Sequence, residues 1–395
     1  MGVLIFDNGA GSAKVEMARS TKPRVIPNCV TKAKTVRARC FTGDQIDECK
    51  DLSGLFYLLP FQKGYLVNWE IEKQVWDYIY GKQCLQVDFE DTDLIITEPM
   101  FNFSTVQEAM AEILFEEYQF NSALRCNASY LSQLKYGKGC ATTPPCTLVV
   151  DSGYSFTHIT PYYKGKRLQQ FTKRLDVGGK LLTNNLKEII SYRQLMVMDE
   201  TYVMNQCKED VCFVSTQFKQ DMSISRLRGE ANTLAVDYVL PDYTHIKRGY
   251  VKKPNESGSK QEQVIRMNSE RITVPEILFR PSDVGLEQIG VAEAINHVIG
   301  LTDSAMQPHF TANILLTGGN CMFPGFKERV YEEVRSATDS FFNVNIHLPS
   351  DCVAYAWEGG RVLASDALFE KMAVTRESYN EHGASVFMDS QLEVS

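Results

Sequence analysis

Two aspartates stand at the ends of apolar runs, and each is followed two residues later by a glycine. The first lies in "MGVLIFDNGAGSAKVEMA", which carries Asp7, Gly9, Gly11, Ser12 and Lys14. The second lies in "TLVVDSGYSFTHITPYY", Thr147 to Tyr163, which carries Asp151, Ser152 and Gly153. Each stretch reads as strand, tight turn, strand. Glycines in such a turn let backbone N–H groups face inward and form a nest for an anion. An aspartate repels phosphate oxygens, but it can hold a hydrated Mg²⁺ through that ion's own waters. Asp7 and Asp151 are therefore expected to serve Mg²⁺ indirectly, and Lys14 to add a point charge for phosphate. A third glycine turn, "LLTGGNCMFPGF" from Leu315 to Phe326, follows another apolar run and has the make-up to carry a nucleoside. One such turn is common. Three of them with an acidic pair point to a phosphate-bearing ligand held between facing hairpins.

The elements around these turns alternate. Strand-like runs fall at Val3–Phe6, Leu94–Thr97, Leu148–Val150 and Ile314–Thr317. Helical spacing appears at Glu70–Tyr80 and Gly178–Tyr192, and Ser104 with Gln107 has the pattern of a capping box. Alternating strands and helices argue for an α/β fold. The stretch Lys135–Cys146 is rich in Gly and Pro and reads as a linker or long loop ahead of the second hairpin. The polar stretch Lys253–Gln263 reads as an insertion, and the last eight residues as a frayed end.

A chain of 395 residues exceeds what one core usually supports, so at least two domains are expected. Its net charge of -8 disfavours nucleic acid as a partner of the whole surface, though Lys32–Arg39 and Lys247–Lys253 are local basic clusters. No apolar run is long enough to span a bilayer, and no secretory leader is evident, so cytosol or nucleus is expected. The 11 cysteines have no metal-site or disulfide spacing and read as reduced, mostly buried thiols. His245, His297, His309 and His347 show no metal spacing, and Trp69, Trp76 and Trp357 read as core or interface residues.

The order "DNGAGSAK", "VDSGYSFTH", "LDVGGK", "CKEDVCFV", "TGGNCMFPG" and "YAWEGG" resembles the actin, Hsp70-type chaperone and sugar-kinase superfamily. Over nearly the whole chain, "TEPMFN", "MAEILFEEY", "ERITVPEILFRPSDVG" and "VTRESYNEHGASV" are similar to its actin branch. Within that branch, "FQKGYLVNW", "GGKLLTNNLKEIISYRQL", "VLPDYTHIKRGY" and "SDVGLEQIG" resemble nuclear members that serve in the Swr-type histone-exchange chromatin remodeller.

The resemblance implies two duplicated α/β domains around a nucleotide cleft. One would be residues 1–143 with 354–395, the other residues 144–353. It implies ATP or ADP in the cleft, with or without Mg²⁺, and leaves an empty cleft open. Asp7, Gly9, Gly11, Ser12 and Lys14 would form the first phosphate loop, and Asp151, Ser152 and Gly153 the second. Gly179 would lie by the phosphates, Lys208 and Glu209 at adenine and ribose, and Gly318, Gly319, Asn320 and Met322 at the adenosine. The implied partners are a remodeller ATPase, a small zinc-finger subunit, a histone-variant binder and, through the basic clusters, the nucleosome. The implied location is the nucleus.

Departures from actin carry functional content. Ala10 stands where actin has a serine that reaches the terminal phosphate. Tyr154 and Ser155 replace Asp-Gly in the second loop. Ala128 aligns with the glutamine that orients the attacking water, while Asp151 and His158 remain. Val353 replaces a lysine beside adenine. The loop used for filament contacts is cut short within Pro27–Phe41. The expectation is a scaffold subunit with hydrolysis very slow or absent and no filament. The alternatives are an active ATPase or small-molecule kinase of the same fold, and a cytoskeletal actin-related protein.

Overall fold

The computed structural model describes residues 2–33, 39–49, 52, 55–253 and 262–387. Two sheets organise it, and both follow one plan. In the first, β1 (Gly2–Asn8) turns into β2 (Ser12–Met17), which pairs with β3 (Arg24–Pro27). On the other side of β1 lie β4 (Thr92–Glu98) and then β5 (Ser122–Asn127), both parallel to it. The short strand Val374–Thr375 pairs with Ser122 and Ala123, so the C-terminal region joins this sheet. In the second sheet, β6 (Cys146–Ser152) turns into β7 (Thr157–Tyr163), with Lys166–Arg167 and Lys173–Leu175 along its outer edge. β8 (Ile314–Thr317) and Ile346–His347 follow in parallel on the other side. The two sheets thus repeat a similar order of strands, each with its hairpin on one side and parallel strands on the other.

Burial explains why the central strands read as unbroken apolar runs. Leu4, Phe6, Leu94 and Ile96 face one core, with Val75 and Trp76. Leu148, Val150, Ile314 and Leu316 face a second. The residues between them, Ile5, Ile95, Val149 and Leu315, share a third core that joins the two sheets. Side chains alternate across a strand, so a strand covered on both faces shows no polar face in its sequence.

Helices follow the expected stripes with small shifts. α1 (Trp69–Tyr80) is capped by Asn68, whose side chain accepts from the Ile71 N–H at 3.2 Å. Two expectations are corrected. Ser104 is the first helical residue, not the cap; Phe103 holds that place, and Gln107 donates instead to Glu98 at 2.8 Å. The supposed linker from Lys135 is helical as far as Gly139, in α2 (Ala128–Gly139). Two further helices, α3 (Gly179–Arg193) and α4 (Thr201–Val211), cover the second sheet.

Between the two lobes, α2 crosses α5 (Tyr355–Ala364) almost backbone to backbone. A Cβ added at Gly359 would lie 2.1 Å from the Leu131 carbonyl oxygen, so only glycine fits there. Gly359→Ala is expected to lower stability by about 1–3 kcal/mol through overpacking. Urea unfolding would show it as a lower midpoint at unchanged slope. An unchanged midpoint would mean that the two helices do not approach this closely.

Candidate functional site

The two hairpin tips face each other across a cavity of about 680 Å³, within the usual range for small-ligand sites. Asp7, Gly9, Gly11, Ser12 and Lys14 line it from the first hairpin, and Asp151 and Gly153 from the second. Gly179, Lys208, Glu209, Gly318, Gly319, Asn320 and Met322 complete the wall at the far side. Of the expected site residues, Ser152 alone does not line it. Ser152 is fully buried; its hydroxyl bonds Thr157 at 2.8 Å and accepts from Asn320 at 3.1 Å, which ties the second loop to the third glycine turn.

Strand register places the polar groups. In β1–β2, Asp7 lies opposite Lys14, and their side chains pair at 3.3 Å. Lys14 also donates to the Ser12 carbonyl at 3.2 Å. The hydroxyl of Thr97, at the end of neighbouring β4, donates to Asp7 at 2.8 Å. In β6–β7, Asp151 lies opposite His158. Burial, and then the negative charge of Asp7, push the Asp151 carboxyl up to about 6. A buried acid raised further by a neighbouring acid on the same cavity wall suits a divalent cation held there through water. His158 is kept neutral: burial, with Arg174 nearby, pushes it down to about 3. Among the described residues its Nε2 has no hydrogen-bond partner.

The glycines work differently from a simple nest. Gly9 donates its N–H to the Asp7 carbonyl at 3.1 Å, and Gly153 donates to Phe156 at 3.0 Å, both within their own turns. Gly11 matters for space. The side chain of Tyr154 reaches from the second loop and rests on its bare backbone. At the other end, Lys208 is buried on α4 and donates to the Gly179 carbonyl at 3.3 Å, to Thr183 at 3.0 Å and to Asn205 at 2.9 Å. Burial lowers its pKa. Asn205 in turn bonds Glu209 at 2.8 Å.

Sequence reasoning missed a buried polar chain behind the first loop. The Asn8 backbone N–H donates to Thr97 at 2.9 Å, and the Asn8 amide donates to Glu72 at 2.7 Å. Asn28 donates to Asn8 at 3.0 Å and to the Gly9 carbonyl at 3.2 Å. One signal was available. Glu72 occupies the same helical stripe of α1 as Val75, Trp76 and Ile79, where an acid has no business unless it is bonded.

The residues noted as departures, Ala10, Ala128, Tyr154, Ser155 and Val353, also line the cavity. Positions 34–38 of the first basic cluster, the insertion at 254–261 and the tail from 388 lie outside the described residues. In the second basic cluster, Arg248 pairs with Asp210 at 2.8 Å and Lys252 with Glu262 at 3.2 Å, while Lys247 and Lys253 are exposed. No helix among the described residues is long and apolar enough to cross a membrane.

A model of the family described as Actin matches residues 1–390. The chain is 44% identical over 388 residues to actin-related protein 6 of Drosophila melanogaster, covering 96% of this chain and 97% of that protein. It is 35% identical over 417 residues to actin-related protein 6 of Oryza sativa subsp. japonica, covering 97% of each. It is 33% identical over 453 residues to actin-related protein 6 of Dictyostelium discoideum, covering 96% of this chain and 92% of that protein.

Proposed function

Because the chain belongs to the actin family, and within it to the actin-related protein 6 branch, we propose that it is a non-catalytic scaffold subunit of a nuclear chromatin remodeller. That remodeller would exchange the Z-type histone variant into nucleosomes. A nucleotide, ATP or ADP, is held in the cleft as a clamp between the lobes. The observation that carries this reading is the mixed make-up of one cavity. Groups suited to holding a nucleotide line it, while alanines line it at 10 and 128, where actin has a phosphate-contacting serine and a water-orienting glutamine. Positioning is most of what a protein adds to phosphoryl transfer, and an alanine positions nothing. His158 is left as one neutral ring in this wall. Asp7 and Asp151 would hold Mg²⁺ through water, and the ion would neutralise phosphate charge.

A ligand bound only by the folded state stabilises it by roughly 4 kcal/mol at a thousand times its Kd. That suffices for a structural role without turnover. In this reading the partners are the remodeller ATPase, a small zinc-finger subunit and a histone-variant binder. The second basic cluster contacts one of them or the nucleosome, with Lys247 and Lys253 turned outward and Arg248 and Lys252 tied to local acids.

The test is to purify the tagged chain from nuclear extract, identify what accompanies it, and denature it to release nucleotide. The expected result is a stoichiometric remodeller set, a released adenine nucleotide, and phosphate release no faster than that of Asp151→Asn. A chain recovered alone or with cytoskeletal proteins would sink the assignment to a remodeller. Steady turnover that Asp151→Asn removes would make the chain an enzyme.

A further inference from the structure

We infer that Tyr154 shortens the phosphate end of the cavity, so that the site takes a nucleoside diphosphate in preference to the triphosphate. This deepens the nucleotide reading above and rests on it.

The first observation is a contact between the loops. A Cβ built on Gly11 would lie 2.9 Å from both Cβ and Cγ of Tyr154 and 3.2 Å from its Cδ2. The side chain therefore lies directly on the first loop's backbone. Tyr154 lines the same cavity as Gly318–Met322, Asp7 and Asp151, so a phosphate chain laid from the adenosine wall toward the two aspartates would pass beside it.

The second observation is that the loop carrying Tyr154 is anchored. Its carbonyl accepts from the Lys180 N–H at 2.8 Å, and the Gly153 carbonyl accepts from Gly179 at 3.0 Å, both at the start of α3. Gly178 packs so tightly there that an added Cβ would be 2.6 Å from the Tyr154 oxygen. Two residues on, Phe156 covers Gly64 of the opposite lobe, where an added Cβ would be 2.1 Å from its ring. Arg174 stacks at 4.8 Å on both Phe156 and Tyr65 and donates to the Lys63 carbonyl at 2.6 Å. The second loop is held to α3 on one side and to the first lobe on the other. Opening room for another phosphate means breaking these bonds or turning the ring out of its packing.

The third observation is charge. A third phosphate adds about one negative charge at neutral pH. At this end of the cavity the first loop has an alanine at 10, and Lys14 is already paired with Asp7. Among the described lining residues the cations are Lys14 and Lys208, and Lys208 is taken up at the other end by Gly179, Thr183 and Asn205, so the added charge gains no new cationic side chain.

The experiment is calorimetric titration of the full chain, with whatever subunits co-purify, against MgADP and a non-hydrolysable MgATP analogue. It is repeated with Tyr154→Ala and Tyr154→Phe, with melting curves to establish that each variant is folded. The wild type is expected to bind the diphosphate at least about tenfold more tightly. Tyr154→Ala should bring the two affinities to within roughly threefold, mainly by strengthening the triphosphate, and Tyr154→Phe should keep the preference because the ring remains. Equal affinities in the wild type overturn the inference. So does a ratio unmoved by Tyr154→Ala, or one abolished by Tyr154→Phe. If the folded wild type binds neither nucleotide, the nucleotide reading itself fails.

Discussion

Replacing Arg329 by Met is expected to lower stability by about 3–5 kcal/mol, a large share of what holds a typical domain folded. Arg329 lies in the helix Phe326–Ala337 that follows the third glycine turn. Its guanidinium makes a two-pronged bond to Glu276, at 2.8 and 3.1 Å, and donates to the Ser215 carbonyl at 2.6 Å. It also pairs with Glu333 and lies 5.0 Å from the centre of the Phe279 ring. Glu276 is 1% exposed. Burial pushes its carboxyl upward, and the bonds from Arg329 pull it back. Such a pair is a weak net source of stability, yet losing one member leaves a buried acid whose remaining cation is the exposed Arg280 at 3.5 Å. Met fills similar space and supplies no charge, so the loss isolates the electrostatics. Glu276→Gln in the Arg329→Met background should recover part of it, because a neutral amide no longer needs the cation. A double-mutant cycle by urea unfolding at neutral pH reads both effects. A cost below about 1 kcal/mol for Arg329→Met would show that water already reaches this pair. The same variant is expected to loosen the nucleoside end of the cavity. Val214 donates to Pro324 at 2.8 Å, one residue before the Arg329-bonded Ser215, so the pair supports the chain on which the glycine turn rests.

The hairpins, the central strands and the amphipathic helices were legible because their signals are local. An apolar run ending in Asp-x-Gly states its own turn, and a strand buried on both faces states itself by having no polar alternate. The helix Ala128–Gly139 was not legible. Gly137 and Gly139 with flanking lysines look like a loop, but the helix they end packs against Tyr355–Ala364 nearer its start, with Lys135 paired to Glu358. Ser104 failed as a cap for a related reason. Gln107, which would complete the box, is held instead by Glu98, nine residues back on the neighbouring strand. The site divided along the same line. Residues in glycine turns announced themselves. Thr97, Asn28 and Glu72 gained their roles only when the topology brought them to Asp7 and Asn8 from 20 to 90 residues away. Tyr154 lay between. Its presence in the second loop was plain in the sequence, and the backbone it rests on was not.

Glu72 gives the other large effect, and its sign follows from where its proton sits. The carboxyl is wholly buried beneath the first loop, and burial pushes it up to about 7 despite bonds that favour the charged form. Those bonds come from the Asn8 amide at 2.7 Å and the Trp76 indole at 3.0 Å, both to Oε1, with Asn28 alongside. The titratable groups facing it are the phenols of Tyr80 and Tyr118, and among the described residues no cation offsets its charge. Among the described residues Oε2 has no hydrogen-bond partner, so the bonds to Oε1 do not offset the full cost of burying the charge. In the unfolded chain the same carboxyl ionises near its ordinary value of about 4.3. Stability is therefore fully present below that pH. It falls as pH rises, because the unfolded state releases a proton that the folded state keeps, and it levels off once pH passes about 7. The loss over this window is on the order of 3 kcal/mol. Glu72→Gln keeps the shape, leaves an oxygen for Asn8 and Trp76, and cannot ionise. It is expected to match the wild type near pH 4.5 and to exceed it by roughly 3 kcal/mol at pH 8. Paired urea unfolding curves across that range decide the matter, since other titrating groups cancel in the difference. Parallel curves would mean that water reaches Glu72. Curves that diverge toward acid pH would mean that the carboxylate is the favoured folded form. The divergence expected here would make the buried proton part of how the chain holds Asn8 and Asn28, and through them the turn at Gly9, in place.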